Sequence, residues 1–283
     1  VSEDKPEYLL SKAIVVCDNV LLRRQMRRLR ADLNLMTSEA FAQHISNTHG
    51  FEYLEREDRI DWLEEMRQEE ALDGYIVSRG EHAELKFKSR RHTLGLQREN
   101  PERTHFVPPP LHGFTLLVAR NGFPSASVQI MCDNGAFIAH RMEVAFLASI
   151  EEELHPITGI FVEQRKISAI LREANRSNDE QTLDGVLDIE KNIKTPGPRL
   201  EMRIETLNHH GTVTAGAERV CPVEESHMGM VNVLKEFQNL LEMMKMGHDE
   251  IPRQHTGLSE EFSMARPGLL DLSTIHSVSS EEE

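Results

Sequence analysis

The hydrophobic period of this chain changes partway along it, and that change constrains the fold more than any other feature. Up to about residue 72, apolar residues recur at steps of three and four, the spacing of a helix buried along one stripe. A short β-branched run at residues 12–16 leads into a first helix marked by Leu22, Met26, Leu29 and Leu33, with Asp18 and Asn19 as caps. A second helix is predicted over residues 38–45, with Ser38 as its cap. A third spans 56–72, with Ile60, Leu63 and Met66 on one side. Its opposite, solvated face carries Asp58, Asp61, Glu64, Glu65, Glu69 and Glu70. From residue 75 the step shortens to two. Residues 75–78 and 83–88 read as short strands, the second alternating Leu85 and Phe87 with Lys86 and Lys88.

Residues 90–111, ending at Pro108, Pro109 and Pro110, read as a long loop. Apolar runs at 114–119, 127–132 and 136–140, separated by Asn121-Gly122 and Asp133-Asn134-Gly135, predict a three-stranded meander with tight hairpins. Helical patterns follow at 142–154, 160–175 and 179–193, and Pro196-Gly197-Pro198 breaks the last. Residues 200–207 alternate Leu200, Met202, Ile204 and Thr206 with charged residues, as an amphipathic strand does, and 213–220 supplies its partner. A long helix over 224–246 closes the regular structure. The fold class expected is α+β: a helical N-terminal part, a central antiparallel meander, further helices, and a strand pair packed by the long C-terminal helix. The organisation expected is a helical region with short strands at 1–107, an α+β region at 111–247, and a mobile acidic tail at 248–283.

Aromatic residues make up only 5% of the chain, so the core must be filled by Leu, Ile, Val and Phe and by twelve methionines. No apolar stretch is long enough for a membrane helix, and residues 1–6 are charged and polar rather than signal-like. Cys17, Cys132 and Cys221 are odd in number and far apart, which points to buried thiols in a reducing compartment. A soluble, intracellular, cytoplasmic protein without a membrane partner is therefore expected.

The formal net charge is −15, yet Arg23, Arg24, Arg27, Arg28 and Arg30 crowd into eight residues. The overall field repels polyanions, so anion binding has to be local. An arginine-rich helix turned outward can lay guanidinium groups along phosphates, and Lys86, Lys88, Arg90 and Arg91 extend such a surface if the fold brings them near. The competing arrangement pairs these arginines with the acidic face of the third helix. No aromatic residues interleave with them, which disfavours single-strand stacking. On the C-terminal helix, Val233, Leu234, Phe237, Leu240, Leu241 and Met244 form a broad apolar stripe, suited to core packing or to a partner's groove. The tail holds Leu-Leu-Asp-Leu-Ser at 269–273 beside serines and glutamates, a form that docking peptides take.

Chemistry-bearing motifs are absent. Fourteen histidines include none at paired metal-ligand spacing, and a site built from His209 or His210 with Cys221 and His227 would have to be assembled by the fold. No metal or cofactor is expected. No nucleophile elbow, phosphate loop or dinucleotide fingerprint is present, and Cys132 with His140 reads as a pair of ordinary strand residues. The strand, acidic turn and helix of residues 13–33 resemble the opening of a receiver or other doubly wound domain, although the regular alternation this requires does not continue. Asn208 to Ala217, NHHGTVTAGA, resembles over ten residues an active-site stretch of hotdog-fold thioesterases, without the strands that should follow, so it carries no function. The function expected is that of a non-enzymatic interaction or regulatory protein binding an anionic partner, such as nucleic acid, through the arginine helix. The alternatives are a hydrolase whose His, Cys and acid groups converge only in the fold, and a structural subunit of a homo- or hetero-oligomeric assembly.

Overall fold

Ile14–Val16 is too short a run to make a sheet alone, yet Val15 and Val16 are 2% and 1% exposed, because the strand is central. In a computed structural model, which describes residues 1–46, 51, 54–84, 89–96, 98 and 104–245, this strand (β1) pairs in parallel with Asn34–Met36 (β2) and Gly74–Tyr75 (β3). The order β2-β1-β3 is that of a wound opening. The antiparallel pairing expected throughout therefore fails here: helices supply the crossovers that parallel neighbours need. The first is Val20–Leu29 (α1), capped by Asn19, whose side chain accepts from Leu22 N at 3.0 Å. The second crossover holds Ser38–His44 (α2) and Arg56–Gln68 (α3). Thr37, not Ser38, caps α2; the Ser38 hydroxyl and amide both donate to Asp18, tying the end of β1 to the start of α2.

The chain divides into two compact units, and the first comprises residues 1–95 with the later turn 207–212. Val16, Phe41, Ile60, Leu63, Leu72 and Tyr75 form a core cluster in it. Glu64, assigned by its spacing to a solvated face, is instead fully buried there. It accepts hydrogen bonds from Arg67, Gln68, the Tyr75 hydroxyl at 2.8 Å and the Ser89 hydroxyl. Burial pulls its carboxyl upward, but these donors outweigh that and hold it down to about 2. Residues 79–84, part of which reads as strand, form a helical turn, Arg79–Glu84 (α4). Leu85, Lys86, Phe87 and Lys88 lie outside the described residues.

The second unit takes the rest of the described chain. Its sheet is antiparallel, Thr158–Arg165 (β4), Arg199–Leu207 (β5) and Thr214–Pro222 (β6), in that order. A three-stranded antiparallel sheet is thus present, but residues 114–140 do not build it. Residues 114–119 form neither helix nor strand, Ser125–Gln129 is a short helix (α5), and Asn134–Ala148 a long one (α6). The Asp133-Asn134-Gly135 sequence that suggests a hairpin is a helix start: Asp133 accepts from Ala136 N at 2.7 Å, and the buried Ala139, Glu143 and Phe146 recur at helical steps. The helix expected over 160–175 is likewise divided. Ile160 and Val162 alternate into the core as β4, and only Ile167–Ser177 (α7) is helical, followed by Glu180–Val186 (α8).

The strand pair and its packing helix stand as expected. Leu200, Met202 and Ile204 of β5 are completely buried, and Ser226–Lys245 (α9) packs on β6. Gly229 makes that approach possible, since a Cβ there would lie 2.7 Å from both Cys221 Sγ and Met202 Cε. The architecture is α+β, with helices packed on two small sheets. No helix among the described residues is long and apolar enough to cross a membrane. The tail from 248 onward, with its Leu-Leu-Asp-Leu-Ser segment, lies outside the described residues.

Candidate anion-binding surface

Helix α1 is enclosed on more of its circumference than a one-stripe pattern implies. Of the expected stripe Met26 is buried while Leu22 and Leu29 are only partly so; Leu21, outside that stripe, is buried, and so are Arg23 and Arg24, at 8% and 3% exposure. The expectation that all the arginines turn outward is corrected by what they bind. A guanidinium carries five donors and no acceptor, and loop ends carry carbonyls without ladder partners. Arg23 Nη1 donates to Cys17 O at 2.5 Å, and Arg24 Nη1 to Leu207 O at 2.6 Å. Arg27 Nη1 reaches His209 O at 2.9 Å. Arg30 closes a two-pronged pair with Asp32 at 2.7 and 2.8 Å and donates to the carbonyls of Glu7 and Leu9, both at 3.0 Å. None of these bonds goes to the acidic face of α3.

The turn 207–212 is thereby fastened to α1. Gly211 adopts φ +70°, and a Cβ there would stand 2.6 Å from Arg28 N and clash with Arg24 O, so only glycine permits the approach. Asn208 accepts from Thr212 N at 2.9 Å and closes the turn. The result places two exposed imidazoles, His209 and His210, beside the arginine helix, their rings edge to face at 5.2 Å. Burial, then Arg27, Arg24, His210 and Arg23, push the His209 imidazole below its ordinary value. Every charged group in that set is a cation. Burial and then Arg27 and Arg23 also bring the Arg24 guanidinium down to about 10, which leaves it charged at neutral pH. A locally positive field in a chain of net charge −15 is an anion-attracting feature.

The other basic residues singled out by the sequence are not brought into this group by any described bond. Arg90 and Arg91 are exposed in the same unit, and Arg91 Nη1 lies 3.3 Å from His82 Nδ1. Lys86 and Lys88 lie outside the described residues. On α9, Val233, Leu234, Phe237, Leu241 and Met244 are core side chains of the second unit, while Leu240 is 37% exposed.

The cysteines divide. Burial pushes the Cys17 thiol up to about 12 and also raises that of Cys221, so both are inert packing groups. Cys132 is exposed, contrary to the expectation of three buried thiols, because it sits at the turn before α6. His140 stacks edge-on against Phe114 at 5.3 Å. Among the described residues, no three His, Cys, Asp or Glu side chains are placed to hold one metal ion.

Two acid sites in the second unit were not singled out from the sequence. Glu143, on α6, is 2% exposed, and burial pushes its carboxyl up to about 7 although it accepts from Leu111 N at 2.7 Å and Val162 N at 3.0 Å. Glu205, read as a solvent-facing strand residue, is 3% exposed and lies 3.2 Å from His105 Nε2, a pairing that orients an imidazole. Glu201, its neighbour on the same face, is buried against Arg165 at 2.7 Å and Arg98 at 3.2 Å. The signal for these was the strand alternation itself, since a charged sheet face needs covering only if something packs on it, and the coverers come from residues 98 and 105 of a stretch read as loop. The chain matches no protein-family model, and no curated protein matches its sequence.

Proposed function

We propose that this chain is a non-enzymatic interaction or regulatory protein that binds an anionic partner, nucleic acid in the first instance, where turn 207–212 meets α1. The contacting groups are Arg27, His209 and His210, with Arg24 adding charge from beneath. This is narrower than the full arginine helix, because Arg23 and Arg24 are buried and Arg30 is held by Asp32. One observation carries the reading: the charged groups acting on an exposed-turn imidazole are all cations, in a chain that is otherwise strongly acidic.

A pH dependence follows from its sign. With its imidazole held below the ordinary value, His209 is neutral at pH 7 and gains its proton as pH falls below that range; a phosphate favours the charged form. Affinity therefore rises on acidification and falls with salt. Fluorescence anisotropy of a labelled single-stranded oligonucleotide, titrated at pH 7.5 and pH 5.5 over a salt series, tests this. With about three phosphate contacts, the slope of log K against log salt approaches roughly −2 at the lower pH. Arg27→Gln with His209→Gln removes most of the binding and flattens both dependences. Binding that is equal at the two pH values, or is unaffected by the double substitution, overturns the reading.

A further inference from the structure

Exposed large apolar side chains are not spread evenly over this protein. Of seventeen among the described residues, eight fall between residues 116 and 144: Leu116, Leu117, Val118, Phe123, Ile130, Met131, Phe137 and Val144. Val118 is 95% exposed and Ile130 87%. A concentration of exposed apolar side chains of this kind marks an interaction surface.

Residues 114–119 have the composition of a strand buried on both faces, Phe114, Leu116 and Val118 on one side and Leu117 and Ala119 on the other. They belong to no helix or strand, and among the described residues their backbone joins no ladder. The same unit holds a sheet that ends at the nine-residue β6. An edge strand of that length is a template for another strand. Helix α9, which packs on β6, carries Met228 and Val231 at 63% and 43% exposure, one turn apart. These would cover one face of a strand added beyond β6.

We propose that a second copy of this chain occupies both features: the segment 114–120 of each copy adds as a strand along the Gly216–Val220 edge of the other. The chain carries both halves of the pairing, an apolar segment and an edge. Two molecules of net charge −15 repel, yet residues 114–131 hold a single charged side chain, Arg120, and on the β6 edge Glu218 is already paired with Arg203 of its own chain, so contact here is opposed less than elsewhere on the surface. The exchange is reciprocal, so it closes as a two-fold dimer rather than growing into a filament.

Light scattering on the full chain over a concentration series is expected to give twice the chain mass. In the dimer, amide hydrogen exchange at 115–119 and at 216–220 is expected to slow together. Leu116→Asp with Val118→Asp, both at exposed sites, returns the mass to a monomer with unchanged far-ultraviolet dichroism and speeds exchange at both segments. Should that variant not fold, Val118→Pro removes one backbone donor at a site outside any ladder and carries the same expectation. A chain that stays monomeric at every concentration overturns the proposal. So does a dimer that survives these substitutions. A dimer lost with no change in exchange along β6 overturns the strand pairing. None of these outcomes depends on nucleic-acid binding.

Discussion

A buried carboxylate is tolerable only when donors surround it, and Glu64 is the clearest instance in this chain, with Arg67, Gln68, Tyr75 and Ser89 converging on one side chain. Replacing it with glutamine keeps the volume but leaves Arg67 facing an uncharged amide inside the first unit. Losing one member of a buried charge pair costs about 3 kcal/mol, and urea unfolding is expected to report a loss of that order. The pH dependence has a definite sign. Because the folded carboxyl sits near 2, below its ordinary 4.5, its contribution is complete above 4.5 and is lost as pH falls from there toward 2. The Glu64→Gln variant should therefore show a shallower acid limb in the urea midpoint than the parent chain. Arg23, Arg24 and Arg27 obey the same logic with the charges exchanged: their partners are carbonyls, which have no signature in composition or spacing. That is why their number was legible from the sequence while their orientation was not.

Elements announced themselves in proportion to how much local chemistry defined them. Helix α1 with its Asn19 cap, strand β5 with its buried Leu200, Met202 and Ile204, and helix α9 all follow from periodicity and caps that do not depend on distant residues. Residues 114–140 misled because Asn-Gly and Asp-Asn-Gly serve hairpins and helix starts equally, and what separates them is the helical burial of Ala139, Glu143 and Phe146 further on. The runs at 12–16 and 75–78 pointed to β1 and β3, but β2 and the parallel pairing were hidden, because β2 and β3 span only three and two residues and take their stability from neighbours. In the candidate site, the arginines were visible, but their meeting with His209 and His210 depends on a turn more than 170 residues away along the chain, which no local pattern encodes. At the level of packed elements, Gly229 gives a sharp prediction. Glycine to alanine inside a helix ordinarily gains about 0.5–1 kcal/mol. Here the added methyl meets Cys221 Sγ and Met202 Cε at 2.7 Å, so overpacking of about 1–3 kcal/mol outweighs the gain. Gly229→Ala should lower the thermal midpoint, and Gly229→Ala with Cys221→Ala should recover part of it.

For the molecule as a whole, the two units are not consecutive lengths of chain: the first includes residues 207–212. The Arg24 side chain waits for an acceptor 183 residues downstream, and Arg27 for one 182 residues downstream. A fragment of residues 1–95 should therefore be less resistant to proteolysis than the same segment within the full chain, and limited digestion followed by mass spectrometry measures the difference. Fragment and full chain being cut equally fast across α1 would refute this. During synthesis the consequence is one of timing. The ribosome releases the arginine helix long before it releases the turn that satisfies it, so the first unit reaches its final form only after most of the second has been made.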